Sequence, residues 1–446
     1  MTFPRVLIFG QPFNNKYGGG ITLTNLFKGW DKDKIAVAAT GHMMYGVTTD
    51  VCSNYYQLGI DEFRWRFPFN LLQRKFKSGM IACGSDSKPQ KKQNKLGIRY
   101  FLVNNLFYPF LEWLGLFHSI SMIKMSPGFI NWLSQFNPDI LYLQVSTRDS
   151  LIFTQKLIKY LSVPSAIHVM DDWPSTISER GLFRKFWKRK IDGEFRELLA
   201  KADLCLSISD AMSDEYYRRY NKYFKPFHNP IEMGRFMQSN QVRTNTPDVF
   251  RILYLGRIGF ANRNSIFNFA KVISEIKTDK FRITLDIFTS DNDTPFVRKI
   301  SSIDKTTVNP AVKYDDVPLL LKAFDLLLLP LDFTEDGLKY AQYSIPTKAS
   351  EYMISGTPVL VYAPGETAIS KFCRENECAH CVTEEGDEYI KKAIQLLVSD
   401  ENYRNKISNK AVKLAGELFD AKKVRKDFQN LLIRLSERED SIKPGN

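Results

Sequence analysis

Ser344-Ile-Pro-Thr-Lys-Ala-Ser-Glu351-Tyr-Met-Ile-Ser-Gly356-Thr-Pro358-Val-Leu-Val-Tyr decides how the rest of this chain is read. Pro346 suits the first turn of a helix, where its missing N–H costs nothing. The helix runs through Lys348, Glu351 and Tyr352. Gly356 supplies its left-handed stop, and Pro358 blocks continuation before a short buried strand, Val359–Tyr362. A helix that begins just after a loop presents free backbone N–H groups, so Thr347 and Lys348 make a ready anion site. Glu351 follows one turn further in. A carboxylate there can accept two hydrogen bonds from a ribose diol while phosphates rest at the helix start, as in dinucleotide folds. A nucleoside diphosphate is the ligand that suits this arrangement.

Working outward, 446 residues are enough for two domains of ordinary size, each with its own core. The composition is that of a globular protein, and a net charge of +13 attracts anions: nucleic acid, acidic membrane or phosphorylated small molecules. Arg5-Val-Leu-Ile-Phe-Gly10 is too short an apolar run for a signal peptide. No stretch reaches the roughly eighteen apolar residues a membrane span requires. Six scattered cysteines read as reduced thiols of a cytoplasmic protein.

Val6 to Phe9 reads as a first buried strand, followed by Gly18-Gly-Gly20 before a helix. That run lets a ligand approach the backbone closely. It is neither G-x-G-x-x-G nor a P-loop. Residues 61 to 135 put positive charge beside aromatic side chains, in Arg64-Trp-Arg-Phe-Pro-Phe, Arg74-Lys-Phe-Lys77 and the basic run Lys88 to Lys95. An apolar segment, Tyr100 to Ile123, follows, and Phe183-Arg-Lys-Phe-Trp-Lys-Arg-Lys190 has the same character. These are the ingredients of a surface that lies on an anionic membrane. They equally suit a helical core stripe preceded by a solvated loop. No helix-turn-helix, finger or RNP pattern accompanies the charges, which argues against nucleic acid.

Asp139 to Gln144 is a buried strand, and Thr154 to Leu161 a helix. Ser165-Ala-Ile-His168-Val-Met-Asp171-Asp172 is a strand ending in polar groups, and ligands of open α/β sheets sit outside such ends. His168 and Asp171 are therefore candidates for acid–base or substrate-orienting work. Ala202 to Ser209 is a further strand leading into a helix capped by Ser209 or Asp210. Asn229-Pro230 is a turn, and the polar residues 236 to 248 read as a linker. Phe250 to Leu255, Gly256, Arg257 and a helix near Asn264 open a second α/β unit. Phe281 to Phe288 and Asp325 to Pro330 are its further strands, with Val312 to Leu321 as a strand and loop beside the ligand.

Asp291-Asn-Asp293 has the D-x-D spacing of a metal site, but Asp31-Lys-Asp33 has it equally, so a solvated loop is expected. Cys373, Cys378, His380 and Cys381 lack the second half of a zinc site; Ala379 to Val382 reads as an edge strand, with the thiols as small hydrophobes. No metal ligands are assigned. Two Rossmann-like units with ligand-facing loops imply an α/β protein with a cleft between two domains.

The opening stretch also resembles the donor-site signature of GT-B glycosyltransferases of the large retaining family 4, the glycogen-synthase-like group 1, in the variant P-x-K-x-x-E-Y-x-x-x-G-x-P-V. The resemblance covers most of the chain and is specific at Gly18–Gly20, His168–Asp172, Gly256–Arg257 and Pro346–Pro358. It implies that Glu351 holds the ribose and that Gly18, Gly19 and Gly20 face donor phosphate and acceptor. It gives His168, then Asp171, contact with the donor sugar or phosphate. Arg257 and a lysine would clamp the diphosphate; that lysine position falls on Asn262, so Arg263 would substitute. Where the family's usual form has a first glutamate touching the sugar, this chain has Tyr343, which puts the sugar's identity in question.

The implied domains are 1–238, with 421–437 packing back on it, and 249–420, which binds the nucleotide sugar. The implied activity is metal-free, cofactor-free hexosyl transfer to a glycan or lipid-linked acceptor, with retention, in cell-surface polysaccharide synthesis, at the inner face of the membrane. A nucleotide-sugar epimerase or hydrolase of the same fold, and a non-catalytic membrane-associated binding module, are the rivals.

Overall fold

The computed structural model describes residues 2–14, 18–71, 73–81, 106–177, 181–237, 248–278, 281–291 and 294–437. The basic run Lys88–Lys95, most of the expected linker and the second aspartate of Asp291–Asp293 lie outside them. The chain forms two compact units. One comprises Met1–Phe227 with Arg425–Asn446, the other His228–Val424. The division falls at Phe227, ahead of the polar stretch expected to carry it, and the chain is still helical over Met233–Met237.

The strands of the first unit are β1 (Val6–Phe9), β2 (Ile35–Thr40), β3 (Asn54–Leu58), β4 (Phe63–Trp65), β5 (Gly79–Met80), β6 (Ser121–Ile123), β7 (Ile140–Leu143), β8 (Ser165–Val169), β9 (Leu204–Ser207) and β10 (Lys225–Pro226). Eight of them form one sheet in the order β10-β9-β8-β7-β1-β2-β3-β5, parallel except for β5. β4 and β6 form a separate antiparallel pair. β1 and β7 are buried at every residue, as a parallel strand covered on both faces must be. The strand order reverses between β1 and β7, so their carboxyl ends open a crevice.

The second unit holds β11 (Val249–Leu255), β12 (Arg282–Thr289), β13 (Thr306–Pro310), β14 (Leu326–Pro330), β15 (Val359–Tyr362) and β16 (His380–Val382). They pair in the order β13-β12-β11-β14-β15-β16, all parallel. This is the dinucleotide-fold order, with its switch point between β11 and β14. Successive side chains on a strand point to opposite faces. Leu253, Leu327, Leu329, Val359 and Val361 therefore join one core, against the helices Thr347–Ser355 and Glu401–Leu418. Ile252, Tyr254, Leu326, Leu328 and Leu360 join the other, against the helices Arg263–Glu275 and Asp387–Ser399.

Val312–Leu321 is not a strand. Tyr314–Asp316 is a 3₁₀ turn, and Pro318 sits in the first turn of the helix Val317–Lys322, where its missing N–H is harmless. Among the described residues no helix is long and apolar enough to cross a membrane.

Candidate active site

In the second unit the site begins at Gly256, directly after β11. Its φ is +151°, and a Cβ there would fall 1.3 Å from Lys348 Nζ. Only glycine lets the ammonium lie against the strand end. Lys348 comes from the helix Thr347–Ser355, which is tied to the same strand. The Leu255 N–H donates to the Tyr352 hydroxyl at 2.9 Å, and that hydroxyl donates to Leu255 O at 3.4 Å. Lys348 Nζ is also 5.2 Å from the centre of the Tyr254 ring, a cation–π contact. Pro346 is the helix's N-cap rather than part of its first turn, because its ψ of 133° is extended, and it brings no side-chain acceptor to the first amides.

Lys348 and Glu351 are half-buried and one helical turn apart. Burial pulls Lys348 down to about 8, with Glu351 opposing and Arg257 adding to the fall. Burial pushes Glu351 up to about 7, with Lys348 and Arg235 opposing. Arg257 is 72% exposed, its Nε 3.7 Å from Asp291 Oδ2, and Asp291 also accepts from the Ile258 N–H. Asp291 is thus fastened to the Gly256 loop rather than solvated. Asn262, which stands where the resemblance puts a lysine, shapes that loop. Its amide donates to the Tyr254 hydroxyl at 2.7 Å and to Arg257 O at 3.1 Å, and its Oδ1 accepts from the Gly259 N–H. Arg263 is exposed at the start of its helix, its guanidinium over the Phe260 ring. Thr347 and Tyr343 are half-buried beside the helix start.

Two residues here escaped the sequence. Asp332, fully buried after β14, accepts from the Ser265 N–H at 2.8 Å and the Asn264 N–H at 3.2 Å. The N-terminus of the helix Arg263–Glu275 therefore already has its anion, supplied from a loop distant in sequence. Arg235 lies 3.9 Å over the Tyr314 ring and donates to Tyr314 O. Its charge bears on Glu351, and nothing in its local sequence signals this.

In the first unit, Gly18–Gly20 do not form a loop: they are the first turn of the helix Gly18–Phe27. At Gly20 the glycine answers a packing need, since a Cβ there would meet Asn14 Nδ2 at 1.8 Å. A Cβ on Gly19 would lie 3.7 Å from Met170 Sδ, so this helix start is neighbour to the end of β8. His168 lies within β8, 2% exposed, its Nδ1 paired with the Tyr142 hydroxyl at 2.5 Å. Its Nε2 makes no well-formed hydrogen bond, and burial lowers its pKa to about 4 with the Ser207 backbone partly offsetting. Asp171 keeps solvent contact, yet the surrounding protein raises its carboxyl above the ordinary value.

Asp172 is structural. It accepts from both terminal nitrogens of Arg219 at 2.9 Å and from the Tyr216 and Ser175 hydroxyls. A cavity of about 560 Å³ lies at the ends of β1, β2 and β7, with Gly10, Thr40, Gln144 and Ser146 at the strand ends and Trp65, Phe76 and Tyr108 as apolar wall.

Both sheets thus present a site at the carboxyl ends of their strands. Residues 249–400 match the family model for glycosyl transferases group 1. The whole chain is similar to solved structures of GT-B type. HepE of Anabaena, in complex with UDP, matches with a TM-score of 0.63 and 11% identity over 96% of this chain and 100% of that one. Sucrose-phosphate synthase of Thermosynechococcus elongatus matches at 0.59 and 13%, over 96% and 98%. A glycosyltransferase of Rickettsia africae matches at 0.57 and 10%, over 97% and 98%. HepE is also known in complex with UDP-glucose. No curated protein matches the chain in sequence. The chain has the GT-B fold, two Rossmann-like units of α/β class.

Proposed function

We propose that this chain is a glycosyltransferase that moves a hexose-type sugar from a nucleoside diphosphate sugar to a glycan or lipid-linked acceptor. The observation that carries the reading is the Lys348 ammonium lying against Gly256 at the β11 switch point, with Glu351 one turn behind it. A diphosphate bound there meets Lys348, Arg257, Arg263 and the first amides of the helix Thr347–Ser355. Its ribose diol meets Glu351, and Tyr343 stands nearest the transferred sugar. The match of residues 249–400 and the UDP and UDP-glucose complexes of HepE support the same ligand class.

The chemistry follows from charge. As the bond from the anomeric carbon to the phosphate oxygen breaks, the sugar gains oxocarbenium character and the diphosphate gains negative charge. Cations and helix amides fixed where that charge develops lower the barrier electrostatically. With retention, the leaving phosphate takes the proton of the acceptor hydroxyl, and the new bond forms on the face the phosphate vacates. In the first unit, Asp171 and the amides at Gly18–Gly20 stand toward the acceptor. His168, enclosed in β8, positions that strand end through Tyr142.

Calorimetric titration with UDP, GDP, ADP and their glucose conjugates tests the reading. One nucleotide series binds, and Arg257→Ala and Glu351→Gln each weaken it roughly ten- to hundredfold, the worth of a charged hydrogen bond. Wild-type affinity in both variants would remove the pocket from this place. Turnover of a bound donor with and without acceptor separates transfer from hydrolysis or epimerisation.

A further inference from the structure

The two basic-aromatic stretches of the sequence meet in the first unit. The Leu182 N–H donates to Trp113 O at 2.8 Å, and Gly181 and Gly115 are pressed so closely onto Trp113 and Trp187 that a Cβ on either would clash. The joined segments hold Leu111 in the core but leave Leu106, Phe110, Trp113, Leu182, Phe183 and Phe186 each between 50 and 62% exposed. Scattered surface hydrophobes are ordinary, whereas bulky ones massed on two adjoining segments mark a contact surface. Exposed Arg184, Lys185, Lys188 and Arg189 stand among them, and residues 181–190 contain no acidic side chain.

We propose that this surface docks the chain on an anionic lipid bilayer, its aromatic and leucine side chains entering the headgroup region and its cations meeting lipid phosphates. The composition chooses this partner. Protein interfaces are depleted of lysine, whereas bulky apolar groups flanked by Lys and Arg are the chemistry of a bilayer boundary. The inner side of the same segment supplies Tyr108 and His118 to the cavity at the ends of β1, β2 and β7, so docking sets that cavity beside lipid. The inference goes beyond the transferase reading and does not depend on it.

Co-sedimentation of the full chain with sucrose-loaded vesicles tests it, using phosphatidylcholine with and without phosphatidylglycerol, and no nucleotide. The chain sediments with the anionic vesicles and is released by high salt. Lys185→Gln with Lys188→Gln lowers the partition coefficient about thirtyfold. Phe110→Ser with Phe186→Ser lowers it about tenfold or more without changing the unfolding temperature, because both rings are already exposed. A chain that stays in the supernatant with anionic vesicles overturns the proposal. So does binding that survives both pairs of substitutions, or binding lost to duplex DNA while vesicles are ignored. Nucleotide affinity, measured separately, is the same in all variants.

Discussion

Lys348 and Glu351 owe their chemistry to a shared, partly dry position. Drying disfavours whichever form is charged, so it drives the lysine down toward 8 and the glutamate up toward 7. The bound state needs both charges: an ammonium for the phosphates and a carboxylate for the ribose hydroxyls. Binding should therefore strengthen as pH rises through about 7, where Glu351 ionises, and weaken as pH rises past about 8, where Lys348 loses its proton. We expect a narrow affinity maximum between these values for a nucleotide sugar, whose diphosphate does not titrate there. Glu351→Gln abolishes the acid limb and Lys348→Met the alkaline one; calorimetry across pH reads both. An affinity flat from pH 6 to 9, within a factor of about two, would contradict the assigned roles. The sequence named both residues from spacing. Their perturbation was not legible there, because it comes chiefly from burial, with Arg257 adding to the fall at Lys348 and Arg235 opposing the rise at Glu351.

At the scale of elements, the helix Thr347–Ser355 works because it is pinned to β11. Tyr352 holds it by a pair of hydrogen bonds, and Gly256 clears the space into which Lys348 folds. Gly256→Ala sets a methyl onto the lysine side chain at a φ that L-residues rarely adopt. The variant should lose roughly 1–3 kcal/mol of stability and bind nucleotide at least about tenfold more weakly. Urea unfolding and calorimetry measure the two effects. Unchanged affinity would mean that the seat of Lys348 is irrelevant to the ligand. The opening stretch announced this helix, its glycine stop at Gly356 (φ +77°) and the strand after it. The three glycines after β1 are expected ahead of a helix, as a run open to a ligand. They instead form its first turn, and at Gly20 Asn14 leaves no room for a larger residue.

At the scale of the whole molecule, the first unit is completed by the far end of the chain. Phe428, on the helix Ala421–Glu437, is fully buried edge-on against Phe27, Tyr142 and Phe227, at 5.2, 6.0 and 5.4 Å. Arg425 and Gln429 donate to the carbonyls of Asn25, Leu26 and Lys28 that end the helix Gly18–Phe27. Phe428→Ala removes a core aromatic and should destabilise the first unit by about 3–5 kcal/mol. Nucleotide affinity should be unaffected, since the ligand's proposed contacts lie in the second unit. Denaturant unfolding followed by tryptophan fluorescence, alongside calorimetry, reads the two effects. Equal loss of nucleotide affinity in a folded variant would contradict that assignment.

The amino-acid order alone determined the α/β class and most strand positions, and it singled out Gly256–Arg257 and Lys348–Glu351 as candidates. Runs such as Leu326–Pro330 and Val359–Tyr362, with glycine and proline at their margins, are local signals that need no partner to be read. Tertiary structure alone decided that Asp332 caps a helix begun at Arg263, that Asn262 braces a loop, and that His168 is enclosed while Asp171 is not. It also brought two basic-aromatic stretches to one surface. Burial and charge coupling are sums over neighbours that the chain supplies from distant positions, so no local pattern encodes them.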